Sequence, residues 1–198
     1  MKEKILKKTL DLFLTYGVKS VTMDDIAEEL GISKKTIYQN FKNKSQLVND
    51  ATFYMFDKIN DGIHQICALG LNSIEEIYSI RNLILEQLKN EKTSPQYQLQ
   101  KYYPKIFDTL KQKQFETIDI CITENLKKGI ESGLYRKEID IKLITLLYFN
   151  GMIGIKNMDL FPQNEFEVSY LMDSYLEYHT RAIATPKGLK ILEKVLKK

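Results

Sequence analysis

An all-α fold is predicted by three observations. Apolar residues recur at three- and four-residue spacing along nearly the whole chain, no stretch alternates with period two between hairpin signals, and breakers are scarce, with four prolines and nine glycines in 198 residues. The helices come in two sizes. Three short ones fill the opening and longer ones follow, which predicts one domain over 1–45 and a second over 46–198.

The first helix is expected at about 2–16, where Ile5, Leu6, Leu10, Phe13 and Leu14 share a face, and Gly17 ends it. Thr22 opens the second in the pattern Thr22-x-x-Asp25, in which hydroxyl and carboxylate each cap the other residue's amide. It runs to Leu30 and stops at Gly31. Ser33 is a natural N-cap for a third helix ending near Asn40. Ser45 is expected to cap a fourth, reaching about residue 69 with Leu47, Val48, Ala51, Met55, Ile59, Ile63 and Ile66 along one side. Further helices are expected at 74–91, at 95–112 with a break left open at Pro104, and at 114–132, 140–158 and 165–184. Pro186 opens a last short one.

Composition excludes several classes. Twenty-nine basic against twenty-six acidic side chains leave a net charge of +3, so a nucleic-acid role must rest on where the charge sits. Cys67 and Cys121 lie in apolar helical contexts without ligand spacing and read as free thiols in a reducing compartment. No metal site and no cofactor motif is discernible. The basic, then apolar, start is interrupted by Asp11 and reads as an amphipathic helix, and the run from Leu143 to Ile155 is too short to span a bilayer. A cytoplasmic chain with no membrane partner is expected. There is no glycine-rich phosphate loop, no nucleophile elbow and no usefully spaced carboxylate pair, and only His64 and His179 are ordinary general bases. The chain is not expected to be an enzyme.

The second and third helices carry the chemistry. Ile26 and Leu30 lie four apart on one, Ile37 and Phe41 four apart on the other, and a Gly-Ile-Ser turn joins them at a steep angle. Ala27 sits at the crossing, and Gly31 supplies a left-handed turn that a Cβ disfavours. Ala27, Gly31 and Ile37 have helix-turn-helix spacing. The outward face of the third helix then presents Lys34, Lys35, Thr36, Tyr38, Gln39 and Asn40, a size and chemistry that suit the major groove of DNA. Ser33 and the positive end of the helix dipole favour phosphate nearby, and Lys42 and Lys44 follow at the entry to the next helix. The acids Asp24, Asp25, Glu28 and Glu29 stand on the other helix, so a small net charge hides a sorted distribution. A solvated helix pair with solubilising lysines is the competing reading.

The segment LDLFLTYGVKSVTMDDIAEELGISKKTIYQNFKNKSQLV resembles the tetracycline-repressor (TetR) family of bacterial transcription regulators. The resemblance rests on Tyr16-Gly17, Thr22, Gly31-Ile32-Ser33, Thr36-Ile37-Tyr38, Phe41 and Lys44-Ser45-Gln46-Leu47. Farther on, NLKKGIESGLYRKEID is similar to the Gly-x-x-x-Gly-x-aromatic-Arg element of the same family. The resemblance implies that Thr22, Tyr38 and Lys44 hold phosphates while Lys35, Thr36, Gln39 and Asn40 read or border bases. Lys35, Gln39 and Asn40 depart from the common family pattern, so base preference does not carry over. Gln and Asn can pair with adenine and Lys with guanine.

For the long helices the resemblance implies ligand binding and dimerisation. Leu147, Gly151, Ile155, Leu171, Tyr175 and Tyr178, together with Ile144, Met152 and Gly154, belong to a candidate dimer surface on the helices at 140–158 and 165–184. Tyr97, Tyr102, Tyr103, Phe107, Phe115, Tyr148, Phe149 and Met158, with His64 and Asn150 as polar groups, are the candidate lining of an apolar pocket. The competing reading of both sets is monomer core. The function expected is a ligand-responsive repressor that binds a palindromic double-stranded operator as a homodimer and is released by a small, largely apolar effector. The alternatives are a DNA-binding regulator or architectural protein without a small-molecule ligand, and a helical protein-interaction adaptor. Operator, regulated genes, effector and the sign of regulation are not written in the residues.

Overall fold

The structure, a computed structural model, describes residues 1–88, 94–162 and 164–197. Ten helices are present among them: α1 (Lys2–Tyr16), α2 (Met23–Leu30), α3 (Lys34–Asn40), α4 (Lys44–Cys67), α5 (Ser73–Gln87), α6 (Pro95–Tyr102), α7 (Pro104–Glu131), α8 (Ile141–Gly154), α9 (Val168–Ile183) and α10 (Pro186–Leu196). An isolated backbone bridge between Tyr135 and Ala184 is the only extended pairing among the described residues. The protein is all-α.

Two expected boundaries move. The fourth helix begins at Lys44, and its cap is Asn43, whose Oδ1 accepts from the Gln46 amide at 2.9 Å, in place of the expected Ser45. The break left open at Pro104 is real: Tyr103 leaves helical geometry at φ −137°, because a proline ring crowds the residue before it. No second break follows near residue 113, and α7 continues through Gln112-Lys113-Gln114, none of which opposes a helix. The end of the helix expected at 74–91 falls partly outside the described residues.

By packing, the chain falls into two compact units: Met1–Ile59 with Gln87–Gln112, and Asn60–Glu86 with Lys113–Lys198. The first has a core of Ile5, Phe13, Ile26, Ile37, Phe41, Leu47 and Val48, to which Leu99, Phe107 and Leu110 are added from α6 and α7. Leu99 comes from far along the chain because the apolar face of α1 to α4 is wider than three short helices can cover themselves.

The second unit centres on Ile74, Ile77, Ile122, Leu126, Tyr135, Tyr148, Leu176 and Leu192. Its Gly-x-x-x-Gly-x-aromatic-Arg element is a close packing device. The Gly129 carbonyl accepts from the Leu134 and Tyr135 amides at 2.8 and 3.0 Å, folding the chain back so that the Tyr135 ring lies on Gly129. The Tyr135 hydroxyl donates to Asn125 Oδ1 at 3.1 Å, and Asn125 Nδ2 donates to the Ser73 carbonyl and to Glu76. Lys128 closes the network on the other Glu76 oxygen at 2.8 Å, so this buried carboxylate is fully partnered.

Candidate nucleic-acid interface

The first unit builds its outward face from caps. At α2, the Thr22 amide donates to Asp25 Oδ2 at 2.8 Å and the Asp25 amide to Thr22 Oγ1 at 3.2 Å. The bond from the Thr22 backbone holds the Asp25 carboxyl below its ordinary range. The Thr22 hydroxyl is engaged with Asp25 in both directions: its oxygen accepts from the Asp25 amide and the side chain hydrogen-bonds the Asp25 carboxyl. At α3, Ser33 Oγ accepts from the Thr36 amide at 3.1 Å and lies 2.9 Å from Thr36 Oγ1, so the two hydroxyls share one bond and one proton stays free. Gly31, at φ +62°, makes the turn between the two helices. Ile32 then donates to the Ala27 carbonyl at 3.0 Å, and Ala27 is buried where the helices meet.

Three of the four acids on α2 are engaged locally. Asp24 pairs with Lys34, Glu29 with Lys8 at 2.6 Å, and Asp25 is spent on its cap. The Asp24 contact pushes the Lys34 ammonium above its ordinary pKa. This pair is exposed on both sides and is weak enough for a phosphate to displace. Lys35, Tyr38 and Gln39 stand exposed beside it. Asn40 is different: its Nδ2 donates one hydrogen to the Thr36 carbonyl at 2.8 Å, which fixes the amide and leaves its oxygen and its second N–H for a base.

Lys44 is the most constrained of the candidates. Its Nζ donates to the Lys19 carbonyl at 2.9 Å, and partial burial lowers its pKa while the Asp25 carboxylate acts the other way. The charge therefore stands at the junction of the α1–α2 turn, the α2 cap and the start of α4. There the Lys42 amide donates to Gln46 Oε1 at 2.8 Å, while the first α4 amides have no intrahelical acceptor. Thr22, Ser33, Lys34, Lys35, Thr36, Tyr38, Gln39 and Lys44 are thus brought together on short, doubly capped elements of one unit.

The remaining candidates divide between the units. Tyr97, Tyr102, Tyr103 and Phe107 belong to the first. Phe107 is core there, and Tyr103 packs against that core. His64, Phe115, Tyr148, Phe149 and Met158 belong to the second, where Phe115 meets Phe149 edge-on at 5.1 Å and Tyr148 meets the buried His179 at 5.0 Å. His64 is exposed. Of the candidate dimer residues, Ile155 and Leu171 are buried within the chain. Gly151 lies under the Tyr175 ring, whose hydroxyl donates to the Leu147 carbonyl at 2.9 Å, so this small residue serves a contact between α8 and α9 of one chain. Leu147 and Tyr178 are exposed. Among the described residues no helix is long and apolar enough to cross a membrane.

Sequence reasoning missed Lys19, Gln98 and Lys101. Gln98 Oε1 accepts from the Lys19 amide at 3.1 Å across 79 residues of sequence, a seat that no local spacing announces.

The family model described as "Bacterial regulatory proteins, tetR family" matches residues 5–51, the segment that holds these caps, the turn and α3. Over these residues the chain carries the DNA-binding module of the TetR family. It is 21% identical over 150 residues to the HTH-type transcriptional repressor KstR2 of Mycolicibacterium smegmatis, covering 72% of this chain and 71% of that protein. It is 31% identical over 78 residues to IcaR, the negative transcriptional regulator of the icaADBC biofilm operon in Staphylococcus aureus, covering 39% of this chain and 42% of that one. Among solved structures, a TetR-family regulator from Agrobacterium tumefaciens superposes with a TM-score of 0.74 at 15% identity, over 93% of this chain and 97% of that one. The ketosteroid transcriptional regulator KstR2 of Mycobacterium tuberculosis superposes with a TM-score of 0.59 at 17% identity, over 93% and 95%. At these identities the structural likenesses are of fold. Transcription regulation through DNA binding is the role that this module and the named repressors support.

Proposed function

We propose that this chain is a cytoplasmic transcriptional repressor that grips a palindromic operator through residues 1–45, as a homodimer formed by residues 46–198. The observation that carries the reading is the bracketing of the exposed α3 face by groups with donors to spare: the Ser33–Thr36 hydroxyl pair, with one free proton, on one side and the partly desolvated Lys44 on the other. Phosphate contacts from these groups would fix register, and Lys35, Gln39 and Asn40 would meet base edges. Repression is the sign printed in the names of the KstR2 and IcaR relatives.

Support for dimerisation comes from α8 and α9. Leu143, Leu146 and Leu147 on one and Tyr170 and Tyr178 on the other are all exposed in a single chain, an apolar surface that a second copy would cover. Two-fold pairing would set two recognition helices about 34–36 Å apart, one DNA turn, or farther on a longer operator.

The effector proposed is small, flat and largely apolar, the class that suits the aromatic groups Phe115–Phe149 and Tyr148–His179–Tyr175. A ketosteroid is named for one structural relative. The α4 helix runs in sequence from the first unit into the second, and its displacement by ligand would change the spacing of the recognition helices. A coupling of about 1–3 kcal/mol would weaken operator binding by roughly 5–150-fold. A ligand-free regulator is favoured by one observation: Phe107, Tyr148 and Phe149 are already buried by protein.

Selection from a pool of random duplexes tests the DNA reading. An inverted repeat bound by two chains is expected; enriched sequences without two-fold symmetry would refute the operator proposed. Equal operator affinity of ligand-saturated and ligand-free protein would refute the effector half.

A further inference from the structure

The first unit carries a basic patch outside the helix-turn-helix. The α6 helix is seated on the turn that follows α1: a Cβ on Gly17 would lie 2.4 Å from the Gln98 side-chain amide, and Gln98 Oε1 accepts from the Lys19 amide. This seat brings the Tyr102 ring beneath two ammonium groups, Lys19 Nζ at 4.9 Å and Lys101 Nζ at 5.7 Å from its centroid. The negative face of the ring holds both cations in place. It does not neutralise them, and among the described residues no carboxylate lies within ion-pair distance of either. Two like charges gathered on one ring, both exposed, form a place that an anion completes.

The patch also has an address. The carbonyl of Lys19 is the acceptor of Lys44 Nζ, and the Lys44 charge in turn interacts with Asp25 in the Thr22 cap. The two cations therefore continue the line of phosphate-seeking groups from the α2 cap around the end of α1 onto α6.

We propose that Lys19 and Lys101, held by Tyr102, bind the sugar–phosphate backbone of duplex DNA beside the contacts of Thr22 and Lys44, so that α6 serves as a second DNA-contacting element. The inference rests on the DNA reading given above. It makes α6 part of the footprint, and it adds affinity without base selectivity, since phosphates carry no sequence.

The test is the salt dependence of full-length protein binding to a fluorescent mixed-sequence duplex, which reads phosphate contacts without knowledge of the operator. The variants are Lys19→Gln with Lys101→Gln, Lys44→Gln, and Lys7→Gln, whose ammonium is already paired with Glu3. Circular dichroism melts establish that each is folded, as glutamine at exposed positions permits. The double variant is expected to lower the log–log salt slope by about 1.8, at about 0.9 per phosphate contact, with Lys44→Gln lowering it by about 0.9 and Lys7→Gln leaving it unchanged. Tyr102→Leu, which frees the Lys19 ammonium and leaves Lys101 with the Tyr97 ring alone, is expected to weaken binding while keeping most of the slope. A normal slope in the double variant, with a lowered one in Lys44→Gln, would overturn the α6 contact and leave the helix-turn-helix reading standing. A loss in Lys7→Gln equal per charge to that of the double variant would overturn it as well, since long-range charge would then be the cause. A flat slope in the wild type would overturn both readings.

Discussion

Gly129→Ala puts the packing of the second unit to a quantitative test. A Cβ at this position would lie 2.0 Å from Cδ2 of Tyr135, far inside contact distance. Neither side can retreat freely. The Gly129 carbonyl is held by two amides, Leu134 is held from the other side by the Thr185 amide at 2.9 Å, and the Tyr135 ring is buried. Overpacking of this kind costs about 1–3 kcal/mol. Moving the ring also breaks its bond to Asn125 Oδ1, and a buried acceptor left unpaired adds about 1–3 kcal/mol. The sum, about 2–6 kcal/mol, lowers the melting temperature by roughly 4–24 °C in a chain of this size. A double-mutant cycle isolates the clash. In a Tyr135→Ala background the clash with the ring is gone, and within α7 alanine is the better helix former, so it is expected to stabilise by up to about 1 kcal/mol. Thermal unfolding followed by circular dichroism reads all four proteins. The same cost in both backgrounds, or a single variant melting within about 1 °C of wild type, would refute the reasoning.

Other outcomes follow from the site and its supports. Tyr38→Ala is expected to weaken binding to every duplex alike, while Gln39→Ala shifts the selected bases; selection with each variant distinguishes them, and a uniform loss for Gln39 would remove it from base reading. Asn43→Ala should cost about 1 kcal/mol of stability through loss of the α4 cap, and Ser45→Ala almost nothing, as chemical denaturation can measure. His179 is buried against two tyrosines, and desolvation depresses its pKa from 6.5 to about 4. Its folded-state pKa lies below the unfolded one, so its contribution is fully present above pH 6.5 and is lost as pH falls towards 4. Melts across that window should show a fall of up to roughly 3 kcal/mol that His179→Phe reduces; an identical pH profile in the variant would count against a neutral buried imidazole.

The ends of α2 and α3 were readable because each is decided by one local residue: Thr22 and Ser33 offer a side-chain oxygen to an orphan amide, and Gly31 takes a left-handed conformation. At α4 the spacing points to Ser45, but Asn43 stands two positions earlier. Asn43 captures the Gln46 amide because its side chain reaches one turn ahead from outside the helix. Pro104 ended a helix as its ring requires, whereas the stretch after it contains nothing that periodicity could use to choose between one helix and two. The contacts that were not legible are those made by long-range folding. Nothing near Gly151 announces that Tyr175 of the same chain fills the space above it, and nothing near Lys19 announces Gln98 or Tyr102. Apolar spacing names the residues of a face but not its partner.

The bond between the Lys44 ammonium and the Lys19 carbonyl has a thermodynamic consequence. A free lysine side chain holds about 2 kcal/mol of rotamer entropy, and a phosphate that immobilises it must overcome that loss at the moment of binding. In Lys44 much of the loss is incurred when the chain folds, because one of the three ammonium hydrogens is already committed to backbone and the other two keep their directions. The cost is moved from recognition to folding. On the proposed contact, DNA would meet a charge that is fixed in place before it arrives, and the association would be correspondingly less sensitive to the flexibility that makes most surface lysines poor anchors.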